Sequence, residues 1–188
     1  MDESLTFKTA KAFETWLARN HAKSDGVWLR IAKKGSGETS VSHAEALDVA
    51  LCYGWIDALR RSCDDAWFLQ RFTPRTRKSI WSKINREKVL ALIEAGRMKE
   101  AGLKEIERAK ADGRWDRAYA GQRTAEVPPD LAAALKKNRA ALAFFETLDS
   151  KNRYAVLFRI GNAKKEETRA RRIATFVEML AKGEKIYP

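Results

Sequence analysis

The side chains best suited to chemistry gather between Tyr53 and Asn85, a stretch that holds three of the six tryptophans of the chain, Trp55, Trp67 and Trp81. Beside them stand Arg71, Arg75 and Arg77, the hydroxyl of Ser79, the amide of Asn85 and one early carboxylate, Asp57. A guanidinium keeps its charge while stacking on an aromatic ring, and it grips carboxylates and phosphates through a planar fork of donors. The mixture predicts a basic, aromatic-lined site for an anionic small molecule: Arg71, Arg75 and Arg77 supply charge, Ser79 and Asn85 orientation, and Trp55 and Trp81 walls. Asp57 positions an arginine or, in an enzyme, serves as a base. Ser79 opens a predicted helix over about 80–96, where free amides and a hydroxyl together can seat an anion or simply cap the helix. The same tryptophans also suit a core.

No other constellation completes a reaction. His21, His43, Cys52 and Cys63 lack zinc-ligand spacing, so no metal is expected. His43 falls in the first turn of a predicted helix and reads as a surface residue, and Cys52, nine residues on, does not share its face. The loop Lys33-Lys34-Gly35-Ser36-Gly37 has two glycines but not the spacing or the terminal Lys-Ser/Thr of a phosphate loop. Asp64 and Asp65 read as turn formers. No cofactor is predicted, and the sequence leaves open whether the protein is an enzyme.

Charge narrows the partners. The net charge is +12, and two stretches carry it: residues 60–86 and 151–172 each hold eight Lys/Arg against two acids. Such stretches are solvated faces or positive surfaces that attract nucleic acid, phosphate esters or carboxylates. A nucleic-acid-binding module using both faces is therefore the alternative to a small-molecule site, although no known nucleic-acid motif is visible. No apolar run approaches the ~20 residues of a transmembrane helix. The acidic start Met1-Asp2-Glu3 has no signal-peptide character, and two cysteines make no disulfide framework, so a cytoplasmic location is expected.

The elements that must position these residues follow from caps and periodicity. Thr9 caps a helix over 10–21 with Phe13, Trp16 and Leu17 on one face, and Val27–Ala32 reads as a strand. Ser42-His43-Ala44-Glu45 is a capping box for a second helix, which Gly54 ends. Trp55–Ser62 and Trp67–Thr73 form a predicted antiparallel hairpin around Asp64-Asp65. A two-residue loop places Asp57 opposite Phe72, whereas a slip of one residue brings Arg71 to Asp57 as an ion pair. In the helix over 80–96, Ile80, Ile84, Leu92 and Ile93 are expected inward. In the next, over 99–112, Lys104, Glu105, Arg108 and Lys110 are expected to face solvent. After Pro128-Pro129 come short helices over 130–137 and 140–148, one capped at Asp149-Ser150, and a last from Lys165 with Ile173, Phe176, Val177 and Leu180 on one side. The fold class is α+β: a helix-strand-helix-hairpin unit with a small antiparallel sheet over 1–120, then a helical module over 125–188.

Several of these motifs, Phe13-Glu14-Thr15-Trp16-Leu17, Tyr53-Gly54-Trp55-Ile56-Asp57, Phe72-Thr73-Pro74-Arg75 and Ser79-Ile80-Trp81-Ser82-Lys83-Ile84-Asn85, together resemble the YdeI/OmpD-associated, or bacteriocin-protection, family. Ala163-Lys164-Lys165-Glu166-Glu167-Thr168-Arg169 is similar to its small helical end module. One departure is Leu157–Gly161, where many relatives carry a tryptophan. The resemblance implies an α+β front, a helical back and a link to tolerance of bacteriocins or cationic peptides, without assigning catalytic residues.

Overall fold

A computed structural model of the protein describes residues 4–188. Two compact units divide the chain: residues up to Trp81 with Asn85–Asp116, and Ser82–Ile84 with Arg117–Pro188.

The first unit is built on a four-stranded sheet. Strands β1 (Ser4–Leu5), β2 (Val27–Ala32), β3 (Trp55–Ser62) and β4 (Trp67–Pro74) lie in the order β1-β2-β4-β3. The expected β3–β4 hairpin forms; β2 pairs antiparallel with β4 and β1 adds a parallel neighbour to β2, two pairings that the sequence did not announce. Helix α1 (Ala10–Asn20) starts where the Thr9 hydroxyl accepts the Ala12 amide, and it buries Phe13 and Leu17. Phe13 meets Phe72 of β4 at 5.6 Å and Trp16 meets Trp55 of β3 edge-on at 6.1 Å, so α1 covers the sheet face that Phe72 and Trp55 share. Helix α2 (His43–Cys52) carries both halves of its capping box, and Gly54 follows at φ +74°.

The hairpin resolves the open register. The turn is wider than two residues: the Asp64 carboxylate accepts the amides of Ala66 and Trp67, and Ser62 pairs with Phe68. A bulge between Asp57 and Arg60 then shifts the pairing, so Asp57 does lie opposite Phe72. Directly opposed residues share a face and successive ones alternate. Arg71 therefore points away from Asp57, and the conditional Asp57–Arg71 pair does not form.

Helix α3 (Lys83–Glu94) begins three residues later than expected. Residues 76–79 instead close a turn, in which the Ser79 hydroxyl accepts the Thr76 amide and the Ser79 amide donates to Thr76 O. Ile80 O accepts from Arg75 Nη1 at 3.1 Å, and the chain reaches its first helical residue only at Lys83. Ile80, Ile84 and Ile93, expected inward, are 43%, 52% and 41% exposed, and α3 buries only Val89 and Leu92. Helix α4 (Glu100–Ala111) corrects a second expectation. Gly102, Glu105, Ile106 and Ala109 form its buried stripe, so Glu105 lies inside rather than on the solvent face.

The second unit is helical: α5 (Pro129–Lys136), α6 (Arg139–Thr147), α7 (Ser150–Gly161) and α8 (Glu166–Ala181). Asn138 and Asp149 cap α6 and α7 with their side chains. Leu131, Leu135, Phe145, Val156, Ile160 and Leu180 form the centre of its core. Ser82 joins this unit through a parallel bridge to Tyr119. No helix among the described residues is long and apolar enough to cross a membrane.

Candidate functional site

The structure disperses the residues of the Tyr53–Asn85 stretch. Trp55 is 1% exposed and donates its indole N–H to His21 O at 3.2 Å, which makes it a strut between strand and helix. Asp57 meets the imidazole Nε2 of His43 at 3.1 Å, so the histidine read as a surface residue is partly buried against a carboxylate, set 6.2 Å from the Phe72 ring. Fourteen residues separate the two, and only the hairpin register and the α2 N-terminus bring them together; no sequence signal marks the pair. Arg71 lies on the opposite sheet face, where its Nε would be 3.0 Å from a Cβ at Gly26. Arg75 is 6% exposed, with its guanidinium 3.7 Å from the centroid of Trp81, itself 2% exposed. Arg77 is exposed, Ser79 belongs to the turn, and Asn85 stands in the first turns of α3.

What holds the 75–81 loop is a buried ionic cluster that sequence reasoning missed. Arg114, 5% exposed, donates to Glu105 Oε1 at 3.1 Å, to both Asp112 oxygens at 2.8 Å, to Ser79 O at 2.9 Å and to Thr76 O at 3.3 Å. Burial opposes its charge, but the hydrogen bonds and negative charges of Asp112 and Glu105 outweigh that, and its pKa is raised. Arg108 pairs with Glu105 and donates to Arg75 O. Trp81 packs edge-on against Trp115 at 5.1 Å. Arginines here thus fix backbone carbonyls and a tryptophan wall.

Concave space occurs in the helical unit. Tyr154, Leu157, Phe158 and Gly161 recur on α7 at i, i+3, i+4 and i+7, so they share one helix face. They form one wall of a cavity of about 420 Å³. The irregular segment 117–126 forms the other wall, with Lys83 at the rim. Its carbonyls hold it in place: Tyr119 O accepts the Lys83 amide at 2.9 Å, and Ala120 O accepts the Tyr154 hydroxyl at 3.1 Å. Burial and the neighbouring Tyr119 push the Tyr154 phenol up, which keeps it the neutral donor that this bond needs. Tyr119 meets Phe158 edge-on at 5.0 Å and Tyr154 meets it at 5.7 Å, so three rings line the space.

Phe158 also lines an adjoining cavity of about 390 Å³ with Arg159, Asn162, Arg172 and Phe176. Arg172 donates to Arg159 O and Asn162 to Phe158 O at 3.0 Å, which fixes both side chains at the helix end. Arg169, from the same basic stripe of α8, is instead held by Asp130 at 2.5 and 2.8 Å. Neither Arg159 nor Arg172 has a carboxylate partner among the described residues. The departure at Leu157–Gly161 therefore keeps an aromatic lining, with Phe158 at its centre. The predicted 151–172 charge stretch was the signal that pointed here. Among the described residues, no group of His, Cys, Asp and Glu is placed to hold a metal ion.

Fold and site together define an α+β protein with a helical unit that encloses an aromatic and basic pair of cavities. Residues 5–105 match a family described as a domain of unknown function (DUF8412), and the chain belongs to that family. Residues 124–183 match the model described as bacteriocin-protection, YdeI or OmpD-associated, the family that the sequence resembles. No curated protein and no solved structure gives a significant match.

Proposed function

We propose that the protein binds a small anionic molecule bearing a flat ring at the two cavities that share Phe158. The observation that carries this reading is their adjacency. One space is walled by Tyr119, Tyr154 and Phe158, and the next presents Arg159 and Arg172, for which the described residues offer no carboxylate partner. Rings favour edge and offset contacts with a flat apolar group, and a guanidinium recognises a carboxylate or phosphate through paired donors. A space of about 420 Å³ falls within the ~300–1,000 Å³ of small-molecule sites. The site lies mostly within the segment that matches the bacteriocin-protection model, so the binding would serve tolerance of such peptides. At +12 the protein does not capture a cationic peptide by charge, and an indirect role, exercised in the cytoplasm, suits it better.

Calorimetry against paired ligands tests this. Aromatic carboxylates and phosphates should bind, and their neutral amides or alcohols should not. Arg172→Ala should weaken binding by about 10- to 100-fold, the loss of ~1.5–3 kcal/mol for a charge-assisted contact. Equal affinity for charged and neutral rings, or an Arg172→Ala variant that binds as well as the parent, would refute the reading.

A further inference from the structure

A second surface, on the sheet of the first unit, is independent of the Phe158 cavities. Strand pairing places Arg71 opposite Trp28, both Arg30 and Arg61 opposite Leu69, and Trp67 opposite Ala32. These side chains share one face of the sheet, the face turned away from Phe72, Trp55 and helix α1. The outer face is built in two layers. Trp28 and Trp67 are 4% and 9% exposed, and guanidinium groups lie over them: Arg30 at 4.6 Å from the Trp67 centroid and Arg61 at 4.6 Å from that of Trp28. Arg71 runs past Gly26, where the absence of a Cβ leaves room for its stem. Asp64 reaches this face and accepts from Arg30 Nη2 at 3.1 Å. Lys33 Nζ donates to the backbone carbonyl of the same residue at 2.7 Å.

We infer that this face binds single-stranded nucleic acid, with unpaired bases stacking on the guanidinium planes of Arg30 and Arg61 and phosphate taken by Arg71. An arginine seated on an indole is already ordered, so little rotamer freedom remains to be lost when a ligand arrives. Its outer surface is a flat cation on which any base can stack. Such planes on β2 and on the edge strand β3 suit splayed, unpaired bases. Duplex reading needs an element that enters a groove, and this flat face offers none. Charge complementarity selects the polymer, and the planes select a partner with stacking surfaces over a merely acidic one.

The test uses the full chain, purified through a nuclease and high-salt step, and fluorescence anisotropy of a labelled oligouridine of about 12 nucleotides beside a duplex of equal length. The single strand should bind more tightly than the duplex, and its affinity should fall between about 50 and 200 mM salt with a log–log slope near −2, for about three neutralised phosphates. Arg30→Ala with Arg71→Ala should weaken binding by about tenfold or more, whereas Lys164→Ala, an exposed change in the other basic stretch, should not. Arg30→Lys retains the charge but removes the plane, and it should lose most of what Arg30→Ala loses. It also guards against misfolding of the double variant, since it preserves the fold's charge and stem. Absence of binding at low salt, equal affinity for duplex, a Lys164→Ala loss equal to that of the double variant, or an Arg30→Lys variant indistinguishable from the parent would overturn the inference.

Discussion

Replacing Glu105 with Ala tests whether buried charge, rather than a ligand, explains the arginines around the 75–81 loop. Glu105 is 7% exposed and lies between Arg114, 5% exposed, and Arg108. Removing one partner of a buried pair leaves an uncompensated charge and costs about 3–5 kcal/mol. Arg114 retains Asp112 and the carbonyls of Thr76 and Ser79, so the expected loss lies at the lower end, about 3 kcal/mol. For a chain of this length that corresponds to a fall in Tm of roughly 6–12 °C. Glu105→Gln keeps an acceptor without the charge and should lose less. Chemical denaturation of the two variants, followed by tryptophan emission, reads both the midpoint and the packing of Trp81 on Trp115. A loss below about 0.5 kcal/mol for Glu105→Ala, the range of ordinary surface substitutions, would refute the reasoning.

Two further outcomes follow from close packing and from acid titration. At Gly102 a Cβ would stand 2.3 Å from Cys52 O and 2.9 Å from its carbonyl carbon, so Gly102→Ala should destabilise by about 1–3 kcal/mol despite alanine's better helix propensity, and a raised Tm would contradict the packing. Arg169 holds the Asp130 carboxyl below the usual range, and the Asn152 amide does the same for the capping Asp149. A lowered folded-state pKa adds stability that is fully present above the unfolded value of about 3.9 and lost as pH falls through the folded value. Urea midpoints should therefore drop between about pH 4 and pH 2, and drop less in Asp130→Asn; an unchanged pH profile in that variant would count against the Asp130–Arg169 contribution.

The elements were legible where local chemistry fixes them. Thr9, the Ser42–Glu45 box, Gly54 and Asp149 punctuate helices through bonds or a left-handed turn within a few residues, and each sits where the sequence placed it. Val27–Ala32 and the hairpin strands carried enough β-forming residues to be read. Misreadings arose where tertiary bonds compete with local ones. Ser79 had the composition of a cap, but Arg75 took Ile80 O and the bridge from Ser82 to Tyr119 drew the chain out of the helix. Glu105 was assigned outward by its charge, although Gly102, Glu105, Ile106 and Ala109 at i, i+3, i+4 and i+7 already formed one stripe. The site was less legible than the fold. The arginine-tryptophan composition pointed to Trp55–Asn85, while alternation along β3 and β4 sent Asp57 and Arg71 to opposite faces. The α7 wall, by contrast, was present in the spacing of Tyr154, Leu157, Phe158 and Gly161, and what could not be read was the segment 117–126 that faces it.

The most direct test of the Phe158 site is native mass spectrometry of the full chain incubated with a mixture of aromatic acids, aromatic phosphates and their neutral counterparts, beside Phe158→Ala and Arg172→Ala. The account predicts one adduct per chain, drawn from the anionic ring compounds and lost in both variants. An adduct that persists in both, or a parent protein that selects none of the anionic rings, would contradict it.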